Sequence, residues 1–230
     1  MSDPDAAEKA AAAEAAVALV ENGMVVGLGT GSTAAFAIEA LGRRVGGGLS
    51  VTAIPTSEQS AAQARRLGIP LTDFAAHRRL DITIDGADQI ARGTLDLVKG
   101  LGGALLREKI VAAATARLVI VADRRKLLDR LGGATPVPVE VVGFGWEATA
   151  DRLAALGGVP VLRRDAAGAP FRTDGGNPIL DCHFPEIADP AALERAIKRI
   201  VGVIECGLFV GMARLALVAG PDGVARYEPG

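Results

Sequence analysis

The sequence predicts an α/β protein, a Rossmann-like layered domain with a mostly parallel sheet plus a smaller α+β domain. Three observations predict it. Short apolar runs ending in glycine- or aspartate-rich turns alternate with segments of helical periodicity up to about residue 122. One run, Arg117 to Ala122, is apolar without a break after its first residue, as in a parallel strand covered on both faces. Beyond Leu131-Gly132-Gly133-Ala134-Thr135-Pro136 the alternation gives way to a compact set of strands and helices. The expected division is therefore 1–131 with 207–230 for the layered domain and 132–206 for the smaller one.

Each element has its own warrant. From Asp5 to Asn22, Ala, Leu and Val recur three and four apart, with Asp3-Pro4 as a start signal and Gly23 as a stop. Met24 to Val26 reads as a short buried strand leading into Gly27-Leu28-Gly29-Thr30-Gly31-Ser32-Thr33, and a helix opens from Ala34 to Leu41. Leu49 to Pro55 is a strand, Ser57 to Leu67 a helix, and Gly68-Ile69-Pro70-Leu71 begins another strand. Leu80 to Asp85 is a strand closed by Asp85-Gly86. Lys99-Gly100 opens a glycine-rich turn before a helix from Ala104 to Ala114. In the second unit, Val137–Val142, Pro160–Arg163 and Ile179–His183 read as strands, and Trp146–Leu156 and Pro190–Arg199 as helices. Asp174-Gly175-Gly176-Asn177 reads as a hairpin turn. Leu208 to Val218 is strand-like again and is expected to rejoin the first sheet.

Composition removes several classes of function. The 230 residues are 50% hydrophobic and 23% charged, enough for a real core. The 29 glycines follow no three-residue period, which excludes collagen. Aromatics at 3% argue against a stacking platform for single-stranded nucleic acid, and a net charge of −2 provides no basic field for DNA. Cys182 and Cys206 form neither a CxxC pair nor a disulfide framework, which fits a reducing, cytoplasmic compartment. The acidic, alanine-rich start lacks a signal-peptide pattern, and no stretch approaches the ~18–20 apolar residues of a membrane span. Two histidines, His77 and His183, are too few for a His-rich metal site.

Three segments can carry chemistry. The loop Gly27–Thr33 joins a strand to a helix, and helix N-terminal amides with two hydroxyls suit an anion. It fails the dinucleotide fingerprint at Ser32, has no Walker lysine, and lacks the flanking glycines of a nucleophile elbow. A small phosphate monoester survives; so does the reading that the glycines only admit a close-packed helix. In Asp81-Ile82-Thr83-Ile84-Asp85-Gly86-Ala87-Asp88, Asp85 and Asp88 flank the turn at a strand's C-terminal end, where open α/β sheets bind ligands. Arg92 at the twelfth position rules out a calcium loop. A plain Asp-Gly turn stays open as the alternative. In Lys99–Lys109 the turn amides and Lys99 can stabilise an oxyanion. Glu108 has only Ala104 and Ala112 one turn away on either side, leaving room for a close neighbour. A solvated Arg107-Glu108-Lys109 triplet is the alternative. Lys9 and Lys126 are weaker candidates for an anion.

Taken in order, GLGTGSTA (Gly27–Ala34), IPTSEQS (Ile54–Ser60), DGAD (Asp85–Asp88), KGLGGALLREK (Lys99–Lys109), PVPVEV (Pro136–Val141), TDGGNPILD (Thr173–Asp181) and GLFVG (Gly207–Gly211) resemble the type A ribose-5-phosphate isomerases over nearly the whole chain. That resemblance implies an aldose–ketose isomerase of the non-oxidative pentose phosphate pathway. It would interconvert ribose 5-phosphate and ribulose 5-phosphate through an enediolate, with no cofactor and no metal. It implies Glu108 as catalytic base, with Asp85, Asp88 and Lys99 as further catalytic groups. Thr30, Gly31, Ser32, Thr33, Gly86, Ala87, Gly100, Leu101, Gly102, Lys126 and Lys9 would bind the sugar phosphate. It also implies a homodimer or homotetramer, with no nucleic acid or membrane as partner. Two positions depart from the family pattern: Gln89 follows DGAD in place of glutamate, and Leu101 stands where a glycine or polar residue is expected. The competing readings are a sugar-phosphate sensor, which would ordinarily carry a DNA-binding segment, and a relative of the acyl-CoA transferases, which would suit a longer chain.

Overall fold

The structure, a computed structural model, describes residues 5–230. In chain order the elements are α1 (Ala6–Val17), β1 (Val25–Leu28), α2 (Ser32–Gly46), β2 (Thr52–Pro55), α3 (Glu58–Arg66), β3 (Leu80–Asp85), β4 (Gln89–Ala91), β5 (Leu97–Val98), α4 (Leu105–Ala113) and β6 (Thr115–Asp123). They continue with β7 (Leu127–Leu128), β8 (Leu131–Gly132), β9 (Val137–Val141), α5 (Trp146–Ala154), β10 (Val159–Leu162), β11 (Ile179–His183), β12 (Glu186–Ile187), α6 (Pro190–Lys198), β13 (Val203–Cys206), β14 (Leu208–Phe209), β15 (Ala213–Gly220) and β16 (Gly223–Tyr227).

The main sheet has the order β16-β15-β6-β3-β1-β2 and is parallel except for the edge pair β15–β16. The expected fold class is therefore found, and the late strand-like segment does return to this sheet as β15. One face is covered by α1 and α2 over a core that includes Val26, Ile38, Leu41, Ile82 and Val119. On the other side α4 lies between β3 and β6 of this sheet and β9 and β13 of a second, antiparallel sheet, β10-β11-β9-β13. The second sheet packs with α5 and α6 around Val139, Leu153, Leu180, Ile197 and Cys206. Both cysteines are free and buried. No helix among the described residues is long and apolar enough to cross a membrane.

Several expected boundaries move, each for a physical reason. The start signal Asp3-Pro4 lies outside the described residues. α1 stops at Val17, not at Asn22, because Arg44 on α2 reaches across and donates to the carbonyls of Val17 and Val20, ending the helix from outside. α2 starts two residues earlier than expected and runs to Gly46. Gly42 does not stop it, because that glycine admits the side chain of Leu67 at close range. Residues 68–71 form no strand, only a single bridge from Leu71 to Ala53, since Pro70 has no N–H to extend a ladder. The segment Asp174–Asn177 is a turn closed by Gly176 N–H on the Thr173 carbonyl and Thr173 N–H on the Asn177 carbonyl, but no paired strand precedes it, so it is not a hairpin turn. Its side chains explain it instead: Thr173 and Asn177 both donate to the buried carboxylate of Glu140, at 3.0 and 2.9 Å.

Candidate active site

β1, β3 and β6 end at one edge of the main sheet, and the loops that leave them meet there: 29–33 after β1, 86–88 after β3, and 123–126 after β6. This is the edge at which a parallel sheet presents ligands. The turn 99–104 before α4 closes the fourth side. Together these loops line a cleft of about 150 Å³.

The glycines of the first loop have separate roles. A side chain at Gly27 would collide with Thr83 on β3 and Val111 on α4, so the packing alternative holds for that residue. At Gly29 it would collide with Asp85. Gly31 has φ +107 and precedes α2, whose N-terminus has no side-chain cap, so the amides of the first turn face the cleft. Ser32 and Thr33 line the cleft there, and Lys9 on α1 donates to Ser32 Oγ at 3.1 Å. Thr30 does something else. Its hydroxyl sits in a buried cluster with Thr56 (2.7 Å), Ser57 (2.8 Å) and Ser60 (3.2 Å), so it pins the loop and has no hydroxyl to spare for a ligand. Ser60 Oγ in turn donates to the Gly29 carbonyl at 2.6 Å.

Beneath the loop, Asp85 is 1% exposed. Its Oδ1 accepts from the Gly86 and Thr30 amides (2.7 and 3.2 Å), and Oδ2 lies 3.1 Å from Lys99 Nζ. Lys99 Nζ also donates to the Gly86 carbonyl at 2.6 Å and to Glu108 Oε1 at 3.3 Å. Two carboxylates thus share one ammonium. Burial pushes the Glu108 carboxyl up to about 8, against the pull of Lys99 and with the charge of Asp85 adding to the rise. Burial also raises Asp85, again against Lys99. For Lys99, burial alone would lower the pKa, but the charges of Asp85 and Glu108 outweigh it and hold the ammonium well above its usual range. Glu108 Oε2 has no partner. The triplet Arg107-Glu108-Lys109 is therefore not a solvated face. Glu108 and Lys109 are both buried, and Lys109 is tied to Glu194 and Glu205.

In the turn before α4, Gly100 has φ +108, and a side chain there would strike Leu105 and Pro138. The Leu101 amide donates to Asp88 Oδ2 at 3.0 Å and the Gly103 amide to the Gly100 carbonyl, while Gly100 and Gly102 line the cleft. The turn is held from behind by Arg163, which donates to the Gly100 and Leu101 carbonyls at 3.0 and 3.1 Å and makes a two-pronged pair with Asp181.

Of the residues singled out in the sequence, Lys9, Thr30, Gly31, Ser32, Thr33, Gly86, Ala87, Asp88, Lys99, Gly100, Gly102, Glu108 and Lys126 line the cleft. Two do not. Asp85 lies under the floor, with both oxygens engaged. Leu101 is 43% exposed and is held by its backbone, the amide on Asp88 and the carbonyl on Arg163, so its side chain is not placed to bind a ligand. Gln89 is also outside the cleft: its amide exchanges two 2.8 Å hydrogen bonds with the backbone of Gly132. The structure adds Asp123 and Arg125 to the lining, and Thr56, Ser57, Ser60 and Arg163 behind it.

The family model for ribose 5-phosphate isomerase A (phosphoriboisomerase A) matches residues 52–223. The chain is 60% identical to the ribose-5-phosphate isomerase A of Gluconobacter oxydans over 222 residues, covering 96% of each chain. It is 58% identical to that of Roseiflexus castenholzii over 219 residues, covering 94% of this chain and 93% of the other. Among solved structures, ribose 5-phosphate isomerase A from Methanocaldococcus jannaschii superposes with a TM-score of 0.94 at 39% identity, covering 97% of this chain and 99% of that one. A D-ribose-5-phosphate isomerase in complex with phospho-erythronic acid also gives 0.94, at 36% identity, covering 99% and 100%.

Proposed function

Since the chain belongs to the ribose 5-phosphate isomerase A family, it is an isomerase of ribose 5-phosphate in the pentose phosphate pathway, and we propose the following division of labour in its cleft. The phosphate sits on the first-turn amides of α2 with Ser32, Thr33, Lys9 and Lys126. Asp88, at the cleft wall, assists opening of the sugar ring. Asp85 does not touch the sugar: it fixes Lys99 and the loop amides from below. Glu108 Oε2 takes the proton from C2 and returns it to C1 on the same face, while the hydroxyl proton passes from O2 to O1. The enediolate between these steps carries negative charge on oxygen, which Lys99 and the Gly100 and Gly102 amides stabilise.

The observation that supports this most directly is the state of Glu108. One oxygen is oriented by Lys99, the other is unpartnered beside the cleft, and the carboxyl sits at about 8, close to the operating pH that suits a group taking and returning a proton. Every step uses side chains and amides of the chain itself. The test is NMR of chelator-treated protein with ribose 5-phosphate. Ribulose 5-phosphate should appear at full rate, and loss of turnover restored by a divalent metal would overturn this assignment of roles.

We further propose a homodimer or homotetramer. Phe144 and Val201 are 95% and 86% exposed, and the Val142 amide joins their two loops by donating to the Gly202 carbonyl. The division into 1–131 with 207–230 and 132–206 is proposed on the sheet β10-β11-β9-β13, which lies wholly within the second range. A cytoplasmic location fits the two buried free thiols.

A further inference from the structure

Among the described residues, two buried side-chain oxygens lack a partner: Glu108 Oε2 and Asp123 Oδ2. Both residues line the same cleft. The first is the proton carrier above. The second belongs to a residue that the scheme leaves without a task.

Asp123 closes β6 and is 1% exposed. Its Oδ1 accepts from the Arg125 amide at 3.1 Å and from Arg125 Nε at 3.0 Å, which caps the turn 124–126 and fixes the plane of the carboxylate. Burial would raise its pKa, but the hydrogen bonds and charge of Arg125, with Lys126, hold it below the usual carboxylate range. At neutral pH it is therefore an anion that can only accept. A buried anionic oxygen without a donor is costly. Beside a substrate cleft, that cost is removed by a donor the substrate brings. The phosphate cannot be that donor, since it carries the same charge. With the phosphate on Lys126 as proposed above, Asp123, three residues before it and lining the same cleft, lies toward that end.

We propose that Asp123 Oδ2 accepts a hydrogen bond from the hydroxyl on the carbon next to the phosphoryl-bearing carbon, making Asp123 a specificity-determining residue that favours hydroxylated sugar phosphates over plain phosphate esters. The proposal rests on the placement of the phosphate at Ser32, Thr33 and Lys126.

The test is calorimetric binding of four probes to the full chain: inorganic phosphate, 2-phosphoglycolate, 4-phosphoerythronate and its 3-deoxy form. Asp123→Asn and Asp123→Ser are measured beside the parent; serine keeps a cap for the Arg125 amide. Both variants should lose roughly 10–100-fold in affinity for 4-phosphoerythronate. Both should bind the two hydroxyl-free probes at least as tightly as the parent, since the phosphate contacts are unaltered and a like charge is gone. The parent should lose a similar factor on the 3-deoxy probe, a measurement that needs no variant to fold. Equal losses on every probe would show that Asp123 only positions Arg125 and would overturn the proposal, as would a parent indifferent to the 3-deoxy change. A parent that binds none of the four would instead overturn the phosphate placement.

Discussion

Glu108 carries the most demanding assignment of any residue in the chain, and its environment states what its replacement should do. Glu108→Gln keeps the reach to Lys99 but cannot take a proton from carbon. It should lower kcat by about 10²–10⁴, or roughly 3–5 kcal/mol of barrier, with little change in affinity for a phosphate inhibitor. In the parent, kcat/KM should climb with pH, reach half its plateau near pH 8 and level off above it, because the ionised form is the proposed base. Stability runs the other way. Folded Glu108 holds a proton between the ordinary glutamate value, 4.5, and about 8, where the unfolded chain has released it, so the folded state loses stability as pH rises across that window. Glu108→Gln removes this titration. Its Tm should gain on the parent's as pH rises from about 5 to 8, and parallel melting curves for the two across that range would refute the buried, raised carboxyl.

At the scale of elements, the proposed mechanism divides binding from chemistry between two loops. Ser32 and Thr33 begin α2 and line the cleft where we propose that the phosphate sits, and its charge does not change during the reaction. Replacing both by Ala should raise KM far more than it lowers kcat, and steady-state kinetics check the split. On the proposed mechanism the turn before α4 meets charge only as it develops, and Arg163 is what holds its carbonyls. Arg163→Ala should therefore lower kcat about tenfold or more while leaving phosphate affinity near the parent's; an unchanged kcat would mean the turn holds itself. The loops themselves were legible in the sequence; the residues that hold them were not. Glycines between an apolar run and a helix mark a strand end, and strand ends of a parallel sheet converge, so Gly27–Thr33, Asp85–Asp88 and Lys99–Gly102 could be read as site loops. Arg163 gave no such signal, because it acts on a turn about 60 residues away, and Thr56 and Ser60, though inside the IPTSEQS motif, did not show which segment they hold. Asp85 and Thr30 were recognisable by type but not by direction: only the collision that a side chain at Gly29 would meet shows the carboxylate lodged under the loop. The extent of α2 was hidden because a glycine used for packing, Gly42, has the same letter as one used to stop a helix.

For the whole molecule, the proposed association of chains should be visible in light scattering. A mass above that of one chain, falling when Phe144 or Val201 is replaced by Asp, is the expected result; a monomer mass at every concentration with full activity would refute it. These two apolar side chains also mark the surface where a lone chain would be prone to stick.

The placement of β15 has a consequence in time. β6, which ends in the cleft residue Asp123, pairs on one side with β3 and on the other with β15, and about ninety residues separate Asp123 from Ala213. At roughly 5–20 residues per second of synthesis, that interval is about 5–20 s. Throughout it the growing chain holds an apolar strand, Leu118 to Ala122, with one edge unpaired. The catalytic layer is thus finished late, by a contact between distant segments, and such contacts form slowly. Ribosome-bound chains arrested at residue 206 should be cut readily near β6 by protease, and the same bonds should become resistant once residues 213–220 have emerged.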